Sequence, residues 1–280
     1  MRIRLLASAI FAASVLGLSA HALAPPKNNS GHKEAYDKKE HHDKDRNSDQ
    51  YNKKHKSTHW AYSGPRGPQY WGDKDPANAA CKVGSQQSPI DFNRTTPAFA
   101  SAPQIDWKPI TNGDVVNNGH TLQLNVEKAG GMVLDGKPYK LVQFHFHTPS
   151  EHTIHGRHFP MEAHFVHKAA DGTLAVVGVM FAEGSNNEHL DPIWWSAPSQ
   201  PGSASVAFNL DMKKLLPTNR ASYRYQGSLT TPPCTEIVDW TVLQTPMSVS
   251  KTQIAAFRAL FGDNARPTQP LYRRYVLETP

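Results

Sequence analysis

The chain has 280 residues with a formal net charge of +6, two cysteines and fifteen histidines, a length that accommodates one large domain with accessories or two small ones. The positive charge is not evenly spread. Arg2 and Arg4 carry +2, residues 25–57 carry a surplus of three, and the remainder is near +1, which argues against a nucleic-acid-binding fold with a basic face of its own.

Residues 1–24, "MRIRLLASAIFAASVLGLSAHALA", combine a short basic start, an apolar run and a small-residue end at Ala22–Ala24. They read as a secretory signal cut near Ala24, giving a periplasmic or secreted protein. No later stretch is apolar enough to span a bilayer. Residues 25–57 are almost entirely charged or amide and could not bury enough surface to fold, so a disordered charged linker is expected there. Its His32, His41, His42 and His55 either bind metal loosely or are incidental to a solvated spacer. The domain is expected over 58–280.

Within it, short alternating segments dominate: Thr121–Glu127, Leu141–His147, Glu162–Lys168, Leu174–Phe181 and Ile237–Leu243 read as strands. Turn signals such as "NNG", "DGKP", "ADG" and "TTPP" separate them. The clearest helix is "SKTQIAAFRALF", with Ser250 as cap, Gln253 closing the capping box and Gly262 as stop. The expected fold class is mainly β (α+β): one domain around a large, twisted, mostly antiparallel sheet with short peripheral helices. An even cysteine count in an exported chain suggests one disulfide between Cys81 and Cys234, two free thiols being the alternative. Closing so long a loop stabilises by about 5 kcal/mol at most. No all-cysteine metal site is possible.

The stretch "LVQFHFHTPSEHTIHGRH", 141–158, places histidines in an apolar run. On a strand, residues two apart share a face, so His145 and His147 point one way, with Leu141 and Gln143, and Phe144 and Phe146 the other. On a helix the same pair would diverge by about 200°. The strand "MEAHFVHK" puts Glu162, His164 and Val166 on one face, and antiparallel pairing could bring His164 to the first two. Three imidazoles with an open fourth position compose a catalytic zinc site, although short His pairs also occur without metal. His152, His155 and His158 are read as loop or packing histidines because of Pro149 and Gly156, and His167 as a core histidine. Neither an HExxH nor an HxxEH motif is present.

In order along the chain, "HWAYSGPRGPQYWGD", "QQSPID", "NNGHTLQLN", "QFHFHTPSEH", "MEAHFVH", "SLTTPPCTEIVDW" and "RPTQPLYRR" resemble the α-class carbonic anhydrases. The resemblance runs from about Thr58 to the C-terminus, and the short "TPSEH" connection together with Cys234 looks like the bacterial, exported branch. It implies a zinc lyase that reversibly hydrates CO2 to bicarbonate and a proton by zinc-hydroxide attack, with one Zn2+ per chain on His145, His147 and His164. It implies Glu151 and Thr230 as the relay beside the hydroxide and His120 as the proton shuttle, through waters ordered by Tyr62 and Asn118. Gln143 and Glu162 would orient His145 and His164. Val166, Val176, Leu229, Thr230, Thr231, Val238 and Trp240 would receive substrate, and Cys81 and Cys234 match the family's disulfide. The implied partners are CO2, bicarbonate and water, with sulfonamide and anion inhibitors; no nucleic acid or membrane span is expected, and a homodimer is compatible. An acid of pKa ~7 releasing protons straight to bulk water manages only ~10^3 s⁻¹, which is why a histidine relay is needed for fast turnover. The competing readings are a non-catalytic binding module on the same fold, a zinc buffer built on the linker histidines, and a zinc esterase or protease.

Overall fold

The computed structural model describes residues 60–99 and 102–280; the expected signal sequence, the linker with its four histidines, and Thr58 lie outside them. Among the described residues, short 3-10 turns and two short helices, α1 (Trp71–Lys74) and α2 (Ala80–Val83), come first. Strands then follow almost without interruption: β1 (Thr96–Pro97), β2 (Gln104–Trp107), β3 (Ile110–Asn117), β4 (Leu122–Asn125), β5 (Gly130–Leu134) and β6 (Lys137–His147). A small hairpin, β7 (Thr153–Ile154) and β8 (Arg157–His158), leads into β9 (Met161–Lys168) and β10 (Leu174–Glu183). Helix α3 (Asp191–Trp195) precedes β11 (Gly202–Leu210), β12 (Ser222–Gly227) and β13 (Val238–Val249), and helix α4 (Lys251–Phe261) precedes β14 (Leu277–Thr279).

All strands except β7 and β8 join one twelve-stranded sheet, ordered β1-β14-β12-β13-β10-β9-β6-β4-β3-β11, with β5 pairing β6 and β2 pairing β5. The pairings β1/β14 and β10/β13 are parallel, and the rest are antiparallel. Both faces of the central strands are covered. Phe144, Phe146, Phe165, Val177 and Leu243 enter the larger core on one side, and α4 adds Ile254 and Phe257 to it. Val166, Val176, Trp240 and Val242 form a second core with Ile90 and Phe92 on the other. The period-two pattern of the sequence divides the residues between these two cores. α4 starts as expected, with Ser250 and Gln253 forming a full capping box, and stops at Gly262, whose φ is 66°.

One sequence expectation is corrected. Leu141 does not share the face of His145 and His147: the β6/β9 register shifts between Leu141 and Gln143. Leu141 consequently packs into the larger core, while Val142 turns to the opposite one. The extra residue of a β-bulge inverts the alternation on one side of it, and nothing in the local alternation marks it. No helix of the described residues is long and apolar enough to cross a membrane.

Cys81 and Cys234 are joined, with Cα atoms 5.0 Å apart and a sequence separation of 153. The bridge is packed against Trp71, Trp60 and Tyr62. Replacing both cysteines by alanine should cost up to about 5 kcal/mol, the loop-closure entropy of a ring this long; denaturant unfolding measures it, and unchanged stability would show that the bridge does not constrain the unfolded chain.

A second expectation concerns pH. His167 is fully buried: Trp107 Nε1–H donates to its Nε2 at 2.9 Å, and its Nδ1 meets the Ala175 carbonyl at 3.3 Å. Burial pushes its pKa from 6.5 down to about 4. In that interval the unfolded chain binds a proton that the native one refuses, so stability falls as pH drops from 6.5 to 4 and this loss is complete below 4. At pH 4 the wild type should have lost about 3 kcal/mol more than His167→Gln, which keeps a donor and an acceptor but cannot charge. Parallel pH–stability curves for the two proteins would contradict this.

Candidate metal centre and its cavity

β6 and β9 place His145 directly opposite His164 in the antiparallel register. His147, two residues along β6, comes to the same face, and the ring centroids of the three imidazoles lie 5.1, 5.4 and 4.6 Å apart. Each ring has one nitrogen occupied by an acceptor. His145 Nδ1–H donates to Gln143 Oε1 at 2.9 Å, His147 Nδ1–H to the Asn264 carbonyl at 2.8 Å, and His164 Nε2–H to Glu162 Oε1 at 2.8 Å. These partners set the tautomers. His145 Nε2, His147 Nε2 and His164 Nδ1 remain as lone-pair donors, and one ligand atom from each histidine lies within 4.8 Å of the others.

Burial, followed by the neighbouring imidazoles, holds His145 well below its ordinary pKa, and burial likewise lowers His147. Both rings are therefore neutral at pH 7. For His164 burial also lowers the pKa, but the Glu162 carboxylate outweighs it and raises the balance. Glu151 approaches from below. Its Oε1 accepts the Arg266 backbone N–H at 2.8 Å, and its Oε2 stands 3.5 Å from His147 Nε2 and 3.8 Å from His164 Nδ1. His147 Nε2 and Glu151 Oε2 are buried polar atoms without a hydrogen bond. A buried lone pair left in this way is costly, and a divalent cation bound by three neutral imidazoles fits this donor set.

Behind the three rings, Glu162 acts as a hub. Its Oε2 accepts the backbone N–H groups of Glu151 and His152 at 2.9 Å each, and its Oε1 accepts from His152 Nδ1 at 2.7 Å as well as from His164. Burial alone would raise its pKa, but the two histidines hold it well below the usual carboxylate range. His152 Nε2 lies 2.7 Å from the Tyr225 hydroxyl, which is bonded to Ser88 Oγ at 2.9 Å. Both nitrogens of His152 are thus occupied, so the alternative grouping of His152, Glu162 and His164 is a hydrogen-bonded network. The local sequence, with Pro149 and Gly156 around it, shows His152 only as a loop or packing residue; its partners Glu162 and Tyr225 come from β9 and β12. His155 and His158 are exposed on the β7–β8 hairpin.

The histidines form the floor of a cavity of about 250 Å³. Its lining mixes polar groups, from Tyr62, Asn118, Gln143, Thr230 and Thr231 with His120, and apolar ones, from Val166, Val176, Leu229 and Trp240. Val238 does not line it; its side chain is fully buried in the core with Trp240 and Val242. Trp60, Leu174 and Gln123 also reach the cavity. Leu174 had a signal, since it is two positions before Val176 on one strand face. Trp60 had none: it stacks on His120 at 3.7 Å and 11° from a segment 60 residues upstream. The His120 turn is shaped by Asn118, whose Oδ1 accepts the N–H of His120 and of Thr121, and by Gly119 at φ 82°. Burial and the Glu151 charge raise the Tyr62 phenol well above 10, against an opposing Arg266, so it stays a hydroxyl.

The family model for eukaryotic-type carbonic anhydrases matches residues 66–280. The chain is 42% identical to a carbonic anhydrase of Klebsiella pneumoniae over 228 residues, covering 79% of this chain and 92% of the relative. It is also 42% identical to a carbonic anhydrase of Neisseria gonorrhoeae over 223 residues, covering 79% and 88% respectively. Among solved structures, the α-carbonic anhydrase of Thermovibrio ammonificans in complex with the inhibitor sulfanilamide superposes with a TM-score of 0.75 at 46% identity, covering 78% of this chain and 98% of that one. With a complete histidine triad at the floor of its cavity and this likeness along most of its length, the chain belongs to the eukaryotic-type, α-class carbonic anhydrase family and is a carbonic anhydrase.

Proposed function

We propose that this carbonic anhydrase holds one Zn2+ on His145 Nε2, His147 Nε2 and His164 Nδ1 and uses His120 to carry the proton released when CO2 becomes bicarbonate. The observation that supports it most is the convergence of three tautomer-set ring nitrogens in a cavity lined by both polar and apolar side chains. Zinc on neutral imidazoles supplies Lewis acidity that brings the pKa of water to ~7, a value established on carbonic anhydrase itself.

The chain's own residues do the rest. Val166, Val176, Leu229 and Trp240 offer CO2, which has no net dipole, an apolar wall that holds it loosely and lets the charged product leave. Thr230 Oγ1 would accept a hydrogen from the attacking oxygen and donate its own to Glu151, so orienting a lone pair toward the carbon of CO2. Glu151 suits that role because its Oε1 is already held by the Arg266 N–H while its Oε2 has acceptor capacity to spare. The Tyr62 hydroxyl and the Asn118 amide order waters between the floor and His120. His120 takes the proton to solvent, imidazole being the side chain whose intrinsic proton affinity suits working pH, while Trp60 stacks on its ring. A primary sulfonamide anion would compete at the same floor and donate its remaining N–H to Thr230. The leader-like residues 1–24 and the Cys81–Cys234 disulfide support a periplasmic or secreted protein.

Stopped-flow CO2 hydration with and without a chelator is the direct test of the metal. His145→Ala and His164→Ala should each lose zinc and hydration together, because a three-ligand site cannot spare one; full zinc content and activity in both variants would refute the ligand set. The shuttle is tested separately. His120→Ala should lower kcat in dilute buffer by about ten- to a hundredfold, the usual scale of a positioned acid–base group, leave kcat/KM for CO2 nearly intact, and recover with small imidazole buffers. An equal fall in kcat and kcat/KM would make His120 a structural residue.

A further inference from the structure

After Gly262 ends α4, the chain passes beside the end of β6, and Asn264 uses every polar group it has, against β6, the residue after it and the His120 turn. Its N–H donates to the Thr148 carbonyl at 2.9 Å, and its Oδ1 accepts the Thr148 N–H at 2.7 Å. Its carbonyl accepts His147 Nδ1–H at 2.8 Å. Its Nδ2 donates to the Phe146 carbonyl at 3.0 Å and to the His120 carbonyl at 2.9 Å. The residue is fully buried, and both amide hydrogens are used. Any residue could supply the backbone bonds here. The side chain adds something else, a bridge between the strand that carries two of the three metal-site histidines and the turn that carries His120.

We propose that Asn264 is a positioning residue for proton transfer: its side-chain amide holds the His120 turn at a set distance from β6. This rests on the reading of His120 as the shuttle. The other bonds of the turn act at different places. Asn118 Oδ1 bonds to His120 and Thr121 within the turn itself, so it shapes the turn without anchoring it. Thr121 Oγ1 donates to the Phe146 carbonyl, which anchors the following residue. Asn117 Oδ1, at the end of β3, accepts the Gly119 N–H at 2.9 Å and so holds the entry to the turn, while Gly119 itself sits at φ 82°. Asn264 Nδ2 ties the backbone of His120 itself to the neighbour of His147. A chain of waters between the metal site and an imidazole works only over a narrow range of separations, so small displacements cost rate.

The test uses the full zinc-loaded protein with Asn264→Ala, and with Asn264→Asp, which keeps the shape and the acceptor for Thr148 but turns an oxygen toward the two carbonyls. Asn264→Asp decides the matter if Asn264→Ala fails to fold. In dilute buffer kcat for CO2 hydration should fall roughly three- to tenfold while kcat/KM stays within about twofold, the split expected when proton transfer alone is impaired. Imidazole buffer should restore kcat. Zinc affinity, measured by competition with a chelator, should be nearly unchanged because the backbone carbonyl still holds His147. Amide hydrogen exchange over 118–121 should quicken, with β9 unaffected. In a His120→Ala background, adding Asn264→Ala should cost no further kcat, since both changes remove the same step. Equal losses of kcat and kcat/KM, unchanged exchange over 118–121, or additive losses in the double variant would overturn the proposal. His120→Ala alone separates the two ideas: if it lowers kcat and the Asn264 variants do not, the proposal falls and the shuttle stands. If it leaves kcat unchanged, the shuttle reading falls and takes the proposal with it.

Discussion

The site depends on one antiparallel register. His145 faces His164 because β6 and β9 pair at those positions, and a slip by one residue would send every side chain of one strand to the opposite face. That register is held by what lies on the other face. Phe144 and Phe146 on β6, like Phe165 on β9, are fully buried in the larger core, so a slip of β6 would exchange two phenylalanines for polar or ionisable residues in an apolar interior. The alternation of His with Phe is therefore a single device, with the aromatic positions fixing where the imidazoles stand.

The second layer is electrostatic. Glu162 is a fully buried carboxylate that accepts four hydrogen bonds, two from backbone N–H groups and two from imidazoles. Burying such a charge is costly unless its lone pairs are satisfied, and here they are, by residues that also shape the site. The two N–H donors belong to Glu151 and His152, so the carboxylate that orients His164 also holds the turn carrying Glu151. Tyr225 and Ser88 extend this network to β12 and the N-terminal segment. The metal-site geometry is thus braced from several parts of the chain.

The N-terminal segment and the loop after β12 are braced in turn by Arg266. Its backbone holds Glu151, and its guanidinium donates to the carbonyls of Cys81 and Ser88 and to Gln87 Oε1 while lying over the Trp71 ring. Burial lowers its pKa to about 10, which still leaves it charged at neutral pH. The disulfide and this guanidinium meet at the same short helix, so the residues around Thr230 and the carboxylate of Glu151 share one support.

Much of this was legible in the sequence because it obeys local periodicity. The spacing of two between His145 and His147, the phase of Glu162, His164 and Val166, and the Ser250–Gln253 cap follow from backbone geometry that every strand or helix repeats. The family-like blocks extended that reading to His120, Glu151 and Thr230. Tertiary structure alone decided the rest. The bulge at Val142 moved Leu141 to the other core, since an inserted residue changes phase without changing composition. Val238 went into the core while Leu174 reached the cavity. His152 found both of its partners, and Trp60 its place on His120, across 10 to 73 residues of sequence. Asn264 joined β6 to the His120 turn from more than a hundred residues away. A hydrogen bond between distant residues is set by how strands and loops stack in three dimensions, and no period along the chain encodes it.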